Sequence, residues 1–228
     1  MLTQTSTISH GNMSLRFGEA QTVIQNRKNF LTKNNIAWDK HICMRCSHGE
    51  QIRVVDAETS TDPQRMVNAE VLITQETGLA LALLTADCLP TTFFDPTTQT
   101  LALAHFSRQT IANELPRKTL DYLVHTFAIS PTNMEIIIGP HIHKTSYSFP
   151  APLPSVSEVI QPYTNTDNGY TYIDLAAAHN AQLTATGVPQ ENITLSAVDT
   201  AASSQHFSHY ETTKKSGLAG RVMTISMM

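Results

Sequence analysis

Apolar residues along the chain follow two patterns, one typical of strands and one typical of helices. Short, nearly continuous apolar runs bounded by Gly, Pro, Asp or Asn predict strands at residues 72–73, 79–85, 101–105 and 135–138. Residues 42–56 are also predicted to be extended. Residues 149–155 contain three prolines, which predicts a surface loop there.

Three other segments carry the helical pattern. Residues 19–35 place Val23, Phe30 and Leu31 at helical spacing, and residues 116–127 begin with a proline and continue with one apolar stripe. A third helix is predicted from the N-cap Asp174 to Gly187. Because strands and helices alternate and no linker is evident in 228 residues, we expect an α+β fold, with mixed α/β elements in a single compact domain over residues 1–228.

The composition favours a small-molecule partner. The formal net charge is −4, and charges of one sign form no long block, so the basic surface of a nucleic-acid-binding protein is not expected. The longest strongly apolar run, residues 79–86, is far shorter than the roughly 20 residues of a membrane helix. The first residues lack a secretory signal, and three cysteines do not suggest a disulfide framework. We therefore expect a cytoplasmic protein with free thiols and no membrane partner.

Three side chains with zinc-binding chemistry lie at the ends of predicted strands. His105 ends "TLALAH", Cys88 follows "LALALLTAD", and His48 ends "CMRCSH", where Gly49 allows a turn. Zinc binds N and S ligands, and a catalytic zinc has three protein ligands and a fourth position for water or substrate. The sequence therefore suggests a zinc site formed by His48, Cys88 and His105. The alternative for Cys88 is a buried, inert thiol.

A second metal-binding arrangement is possible in "HICMRCSH", where Cys43 and Cys46 form a C-x-x-C pair flanked by His41 and His48. On an extended segment, side chains alternate between faces, so Cys46 and His48 share one side while His41 and Cys43 share the other. Four ligands on two faces cannot close on one ion, which argues against this local site.

Several motifs, taken in order, resemble one known family. They are "HGNMSLRFGE", "CSHG", "NAEVLITQETGLALALLTADCLPTTFFDP", "LALAH", "IGPHI", "DLAAAHNAQLTATGV" and "HFSHY...GLAGR". This order resembles the YfiH-like proteins, long called laccase-domain or multicopper polyphenol oxidoreductases and later described as zinc-dependent purine nucleoside enzymes. The resemblance implies mixed β-sheets flanked by helices and zinc ligands at His48, Cys88 and His105.

The chain departs from the family pattern around these ligands. Where the family has A-H-A-G-W-R-G, this chain has "AHFSRQT", which moves the arginine one place early, to Arg108. His141 in "IGPHI" stands where the family has cysteine, Asp199 and Thr200 replace a late C-T pair, and Cys46 replaces a glutamine. The metal site is retained, and its surroundings are changed.

Four further residues are candidates for catalysis and substrate binding. Arg108 is the predicted phosphate anchor; a one-residue shift on an extended segment would turn it to the opposite face, and a loop with a local bulge could restore it. Asp87, next to Cys88, is the second predicted catalytic residue, as a partner of the metal site. His141 and Asn12 are predicted to bind substrate, with a loop histidine and a turn-forming asparagine as their alternatives.

The resemblance implies a zinc-dependent enzyme that catalyses phosphorolysis of adenosine, guanosine or methylthioadenosine and deamination of adenosine, with nucleoside and phosphate as partners. A monomer or homodimer is expected. One alternative is a metal-retaining binding or regulatory protein whose catalytic surroundings have decayed. Others are a copper-dependent polyphenol oxidase, for which three ligands are too few to form a multicopper centre, and an enzyme that edits peptidoglycan precursors.

Overall fold

The computed structural model of the chain describes residues 1–60, 62–153, 155–215 and 218–228. These residues form α-helices α1 to α5, with bounds Ala20–Lys33, Arg108–Ala112, Leu115–Phe127, Leu175–Ala185 and His209–Lys215. They also form strands β1 to β14, with bounds Leu2–Thr5, His41–Arg45, Ile52–Val54, Met66–Asn68, Val71–Thr74, Ala80–Thr85, Leu89–Asp95, Thr100–Phe106, Glu135–Ile138, Ser148–Pro150, Thr164–Asp167, Tyr170–Ile173, Ile193–Leu195 and Val222–Met227.

The strands form two large mixed sheets and one small antiparallel sheet. The first has the order β1-β14-β6-β2-β4, the second has the order β13-β9-β7-β8-β5-β3, and a small sheet has the order β10-β12-β11. The chain crosses from the first sheet to the second between β6 and β7, at residues 86–88. The predicted α+β fold is confirmed.

Alternation along the central strands explains how the sheets pack. In β6, Leu81 and Leu83 belong to one apolar cluster while Ala80 and Ala82 belong to another. The first cluster fills the layer between the two large sheets, and the second packs the first sheet against α1. A third cluster packs the second sheet against α3 and α4. Because these strands are buried on both faces, they read as continuous apolar runs in the sequence.

Most predicted elements are present. The helix predicted at 19–35 is α1, with Glu19 as its N-cap, and Asp174 caps α4 by accepting a hydrogen bond from the Ala177 N–H at 2.9 Å. The strand predicted at 135–138 has those bounds. Within the described residues, no helix is long and apolar enough to cross a bilayer.

Two local predictions are wrong. Residues 42–56 are not one extended segment, because the chain leaves the first sheet after Arg45 and enters the second sheet at Ile52. The segment 149–155 is not all loop, because Phe149 and Pro150 end β10 and pair with β12. Pro154 lies outside the described residues.

Candidate metal centre

Three strands contribute apolar side chains to the layer between the two large sheets, and at one edge of this layer each strand has a polar side chain at or next to its end. On β2 and β8 the apolar side chains of this layer occupy alternate positions, and on β5 Leu72 belongs to it. The next side chain on the same face, two residues further along, is Cys46 after β2 and His105 near the end of β8. On β5 the side chain two residues before Leu72 is Glu70, directly before the strand begins. β5 and β8 are antiparallel, and the His105 N–H donates to the Glu70 carbonyl oxygen at 2.8 Å. The pleat of the sheets therefore brings three potential metal ligands together.

Cys46, Glu70 and His105 form a candidate metal-binding group. One ligand atom from each lies within 4.8 Å of the other two, and the described part of the chain contains no other group of three His, Cys, Asp or Glu residues with this spacing. The donors are a thiol sulfur, a carboxylate oxygen and an imidazole nitrogen. Sulfur and nitrogen donors together suit zinc or copper and do not suit magnesium or calcium.

Glu70 holds the other members of the site in place. Its fully buried carboxylate lies 2.7 Å from His105 Nδ1 through Oε2, and through Oε1 it accepts the Ser47 N–H at 2.6 Å and the Gly49 N–H at 3.2 Å. Burial alone would raise the pKa of Glu70, but the hydrogen bond and the charge of His105 bring it below its ordinary value. With Nδ1 bound to Glu70, Nε2 is the His105 atom that can bind a metal, which would displace the proton that Nε2 carries in the imidazolium form.

The predicted ligands His48 and Cys88 lie around His105 but outside the 4.8 Å group. The His48 ring meets the His105 ring edge to face at 5.1 Å, and His48 Nδ1 lies 3.1 Å from Ser107 Oγ. Both the Cys88 and the Cys46 thiols interact with the His105 imidazole by hydrogen bonding and by charge, and these contacts hold its pKa well above the ordinary value although burial opposes this. His48, Cys88 and His105 are therefore neighbours, with Cys46 as an additional thiol.

The alternative site in "HICMRCSH" does not form among the described residues. Cys43 is fully buried in the cluster between the first sheet and α1, and burial raises its pKa to about 11. His41 Nδ1 lies 2.6 Å from the Trp38 carbonyl oxygen, and burial lowers the pKa of His41 to about 4. The predicted split between two faces is confirmed, since Cys46 packs against the layer between the sheets.

Two cavities meet at this cluster. The first, here called the aromatic cavity, has a volume of about 420 Å³, and its wall includes Tyr147, Phe149 and Tyr210. The second, here called the arginine cavity, has a volume of about 570 Å³, and its lining includes Arg16, Arg27, Arg45 and Arg221. Both are lined by His48, Ala86, Cys88 and His209.

The rings of the aromatic cavity contact one another. Tyr147 lies 5.0 Å from Phe149 and 5.6 Å from Tyr210, measured between ring centroids, and all three pairs meet edge to face. Ile142 and Leu175 extend the apolar lining. A wall of this kind offers flat apolar surfaces on which a heterocyclic base can stack.

Arg108 lines the aromatic cavity, and its backbone is helical, whereas the sequence suggested an extended segment. It is the first residue of α2, whose N-cap Ser107 accepts the Thr110 N–H at 3.2 Å. The one-residue shift considered for an extended segment does not apply here, because Arg108 is helical and one residue turns a helix by about 100°. Its guanidinium lies 5.4 Å from the Phe149 ring centroid.

Asp87 ties the site together. It adopts a left-handed backbone conformation (φ 82°) where the chain passes between the sheets, directly before Cys88. Its carboxylate accepts Thr200 Oγ–H at 2.7 Å, Ser208 Oγ–H at 3.0 Å and Tyr210 N–H at 2.7 Å. Because both carboxylate oxygens already accept hydrogen bonds, Asp87 is better suited to holding Thr200, Ser208 and Tyr210 in position than to transferring a proton.

The two predicted substrate-binding residues line neither cavity. Asn12 Oδ1 accepts the Ser14 N–H at 2.9 Å and the Arg221 N–H at 3.0 Å, which is the turn-forming alternative. His141 is buried, and its Nδ1 lies 2.8 Å from the Gly139 carbonyl oxygen. Its backbone pairs with Asp199 in an isolated bridge. Neither position supports direct contact with a ligand in these cavities.

Reasoning from the sequence missed Glu70 and the arginine cavity. A signal for Glu70 was available, because this single acidic residue directly precedes "VLIT", a strand buried at every position. The arginines offered no signal, since Arg16 and Arg27 lie near the start of the sequence and Arg221 lies near its end, with no motif that connects them. Tyr210 lines the aromatic cavity, and Arg221 lines the arginine cavity.

The fold and the cluster define a mixed α+β protein with a candidate N/S metal centre between two sheets. The family model described as multi-copper polyphenol oxidoreductase laccase matches residues 3–228, and the chain belongs to this family. The resemblance seen in the sequence is thereby confirmed.

Similar proteins carry a more specific name. A purine nucleoside phosphorylase of Streptomyces coelicolor is 31% identical over 79% of this chain and 74% of its own length. The purine nucleoside phosphorylase YlmD of Geobacillus stearothermophilus is 29% identical over 81% of this chain and 72% of its own length. The crystal structure of YlmD from Geobacillus stearothermophilus matches with a TM-score of 0.84 at 26% identity, covering 95% of this chain and 84% of that one. Bacillus licheniformis YfiH shares the fold, with a TM-score of 0.82 at 24% identity over 95% of this chain and 85% of that one.

Proposed function

We propose that the chain is a zinc-dependent purine nucleoside enzyme that cleaves adenosine, guanosine or methylthioadenosine with phosphate and deaminates adenosine. The observation that carries the proposal is the convergence of imidazole and thiol donors where two cavities meet. The names of similar proteins support the purine nucleoside as substrate.

His48, Cys88 and His105 are the proposed zinc ligands. The donor set fits zinc, since it combines nitrogen and sulfur, and Glu70 orients His105 through Nδ1 at 2.7 Å. When bound, zinc would supply a Lewis acid at neutral pH with a coordination position left for an oxygen ligand.

The aromatic cavity is the proposed nucleoside site. A volume of about 420 Å³ is within the usual range of small-molecule sites. The purine would stack against Phe149 and Tyr147, and Arg108, which also lines this cavity, would keep the Phe149 ring in place by cation–π contact at 5.4 Å. Asp87 would hold Tyr210 through its N–H at 2.7 Å and so fix the third ring of the wall.

The proposed phosphorolysis exchanges one bond for another. A phosphate oxygen forms a bond to the anomeric carbon of the ribose, the bond from that carbon to the purine nitrogen breaks, and the purine leaves with its bonding electron pair and takes up a proton. For adenosine or guanosine the products are the free base and ribose 1-phosphate, and for methylthioadenosine they are adenine and 5-methylthioribose 1-phosphate.

The test is a nucleoside assay on zinc-loaded protein with and without phosphate, analysed by chromatography. Adenosine should give adenine only when phosphate is present, and inosine whether or not it is present. Both activities should be lost in Cys88→Ala and retained in Cys43→Ala, which removes a buried thiol on the other side of the first sheet. No turnover of any nucleoside by protein with bound zinc would refute the proposal.

A metal-retaining binding or regulatory protein is the second candidate. It is favoured by one observation, the replacement of the family's A-H-A-G-W-R-G by "AHFSRQT". It predicts that adenosine raises the unfolding temperature without being converted. Copper with no zinc in unsupplemented protein would instead favour phenol oxidation, the activity in the family's name.

A further inference from the structure

The arginine cavity has the charge of an anion site. Four guanidinium groups belong to its lining, and the described lining contains no aspartate or glutamate. Arg45 is already paired with Asp62 at 3.2 Å. The other three, Arg16, Arg27 and Arg221, form no ion pair with any described residue.

Arg27 is the most informative of the three. It is 1% exposed, and it donates from Nε to the Met13 carbonyl oxygen at 2.7 Å and from Nη1 to Met66 Sδ at 3.7 Å. These contacts hold the side chain without neutralising its charge. Burying a charge is costly unless an opposite charge accompanies it, so an anion in the cavity would remove this cost.

Arg16 and Arg221 lie against one ring. Their guanidinium carbons lie 5.6 Å and 4.6 Å from the Phe17 ring centroid, and Arg221 Nη1 donates to the Gly220 carbonyl oxygen at 2.7 Å. Stacking on an aromatic ring limits the rotamers of a guanidinium and leaves its edge for hydrogen bonds. The planar edge matches two oxygens of a phosphate group.

The cavity opens directly onto the candidate metal cluster. His48, Cys88 and His105 line it together with the arginines, and Arg221 is close enough to Cys88 and Asp87 to interact with both by charge. The nucleoside proposed above would reach the same cluster from the aromatic cavity. The two substrates of a phosphorolysis would therefore approach one point from separate cavities.

We propose that Arg27, Arg221 and Arg16 form the subsite for inorganic phosphate, an inference that rests on the proposed nucleoside phosphorolysis. This assignment differs from the sequence-based expectation, which placed the phosphate on Arg108. Arg108 lines the aromatic cavity and not the arginine cavity.

The kinetic test compares Arg221→Gln and Arg16→Gln with Arg108→Gln and with the exposed Arg53→Gln as control. We expect KM for phosphate to rise at least tenfold in the first two variants, with a smaller change in KM for adenosine, while Arg53→Gln should leave both KM values and the phosphate-independent deamination unchanged. Arg108→Gln should raise KM for the nucleoside instead. A raised KM for phosphate in Arg108→Gln with unchanged Arg221→Gln and Arg16→Gln would overturn the proposal.

A binding measurement keeps this proposal separate from the proposed function. Titration calorimetry of zinc-loaded protein with inorganic phosphate should show binding that weakens at least tenfold in Arg221→Gln and in Arg27→Lys, which keeps the charge and loses the planar edge. That result would support the subsite even if no nucleoside were converted. Absence of phosphate binding to the unmodified protein would overturn it, as would tight binding of adenosine 5′-monophosphate that depends on Arg221 and is unaffected by free phosphate.

Discussion

Replacing Glu70 by glutamine tests whether this carboxylate organises the candidate metal centre. The carboxylate faces three donors, His105 Nδ1–H on Oε2 and the Ser47 and Gly49 N–H groups on Oε1. An amide has one oxygen, so either His105 or the 47–49 turn would face an NH₂ group. A buried donor without an acceptor costs about 1 to 3 kcal/mol.

The effect on the metal follows from the same contacts. Loss of the partner that orients a metal-binding histidine weakens metal binding by about 10- to 100-fold, or about 1.4 to 2.8 kcal/mol. The assay is competition between the protein and a chromophoric zinc chelator at neutral pH. Glu76→Gln is the matched control, because Glu76 accepts one backbone N–H, from Ala57 at 2.8 Å, outside the site. Equal zinc affinity of Glu70→Gln and the unmodified protein would refute this role of Glu70.

Three further predictions concern the thiols, the buried histidines and Asp87. Cys88→Ser should lose zinc binding while Cys46→Ser keeps it, as measured by metal analysis after dialysis; the reverse order would reassign the ligand. Burial lowers the pKa of His179 to about 3, so the unfolded chain, with its pKa near 6.5, takes up the proton first. In the zinc-free protein, the contribution of His179 to the free energy of unfolding should therefore be fully present above about pH 6.5. By pH 5 the free energy of unfolding should have fallen by about 2 kcal/mol because of this histidine. Urea titrations of the unmodified protein and His179→Gln check this, and an equal loss in both would contradict it. Asp87→Asn should lower the free energy of unfolding by about 2 to 3 kcal/mol, because three donors share its carboxylate; an unchanged urea midpoint would rule this out.

The parts of the fold that could be predicted are those where one periodicity persists. Both α1 and α4 have caps and apolar spacing within one segment, and β8 is a continuous apolar run because it is buried on both faces. The strand β10 could not be predicted because it ends in Pro150 and further prolines follow it. The passage from β2 to β3 could not be predicted either, because the residues between these strands belong to neither sheet and follow no periodic pattern.

The candidate site was predictable only where single residues end strands. His105, Cys88 and His48 stand out at the ends of predicted strands, and the resemblance implies the same three residues. Glu70 completes the site through pairing of β5 with β8, which no local pattern encodes. The arginine cavity depends on three segments that meet only in the folded chain, so its charge could not be read from the nearly neutral composition.

Metal analysis of the His105 variant tests the central claim most directly. His105 contacts Glu70, His48 and both neighbouring thiols. In the zinc-loaded protein, X-ray absorption spectroscopy should show zinc–nitrogen distances of about 2.0 to 2.1 Å and zinc–sulfur distances of about 2.3 Å. The His105→Ala variant should lose the metal. The control variant His125→Ala, which replaces an exposed histidine on α3, should retain it. Zinc retained in His105→Ala with unchanged nitrogen and sulfur coordination would contradict the account.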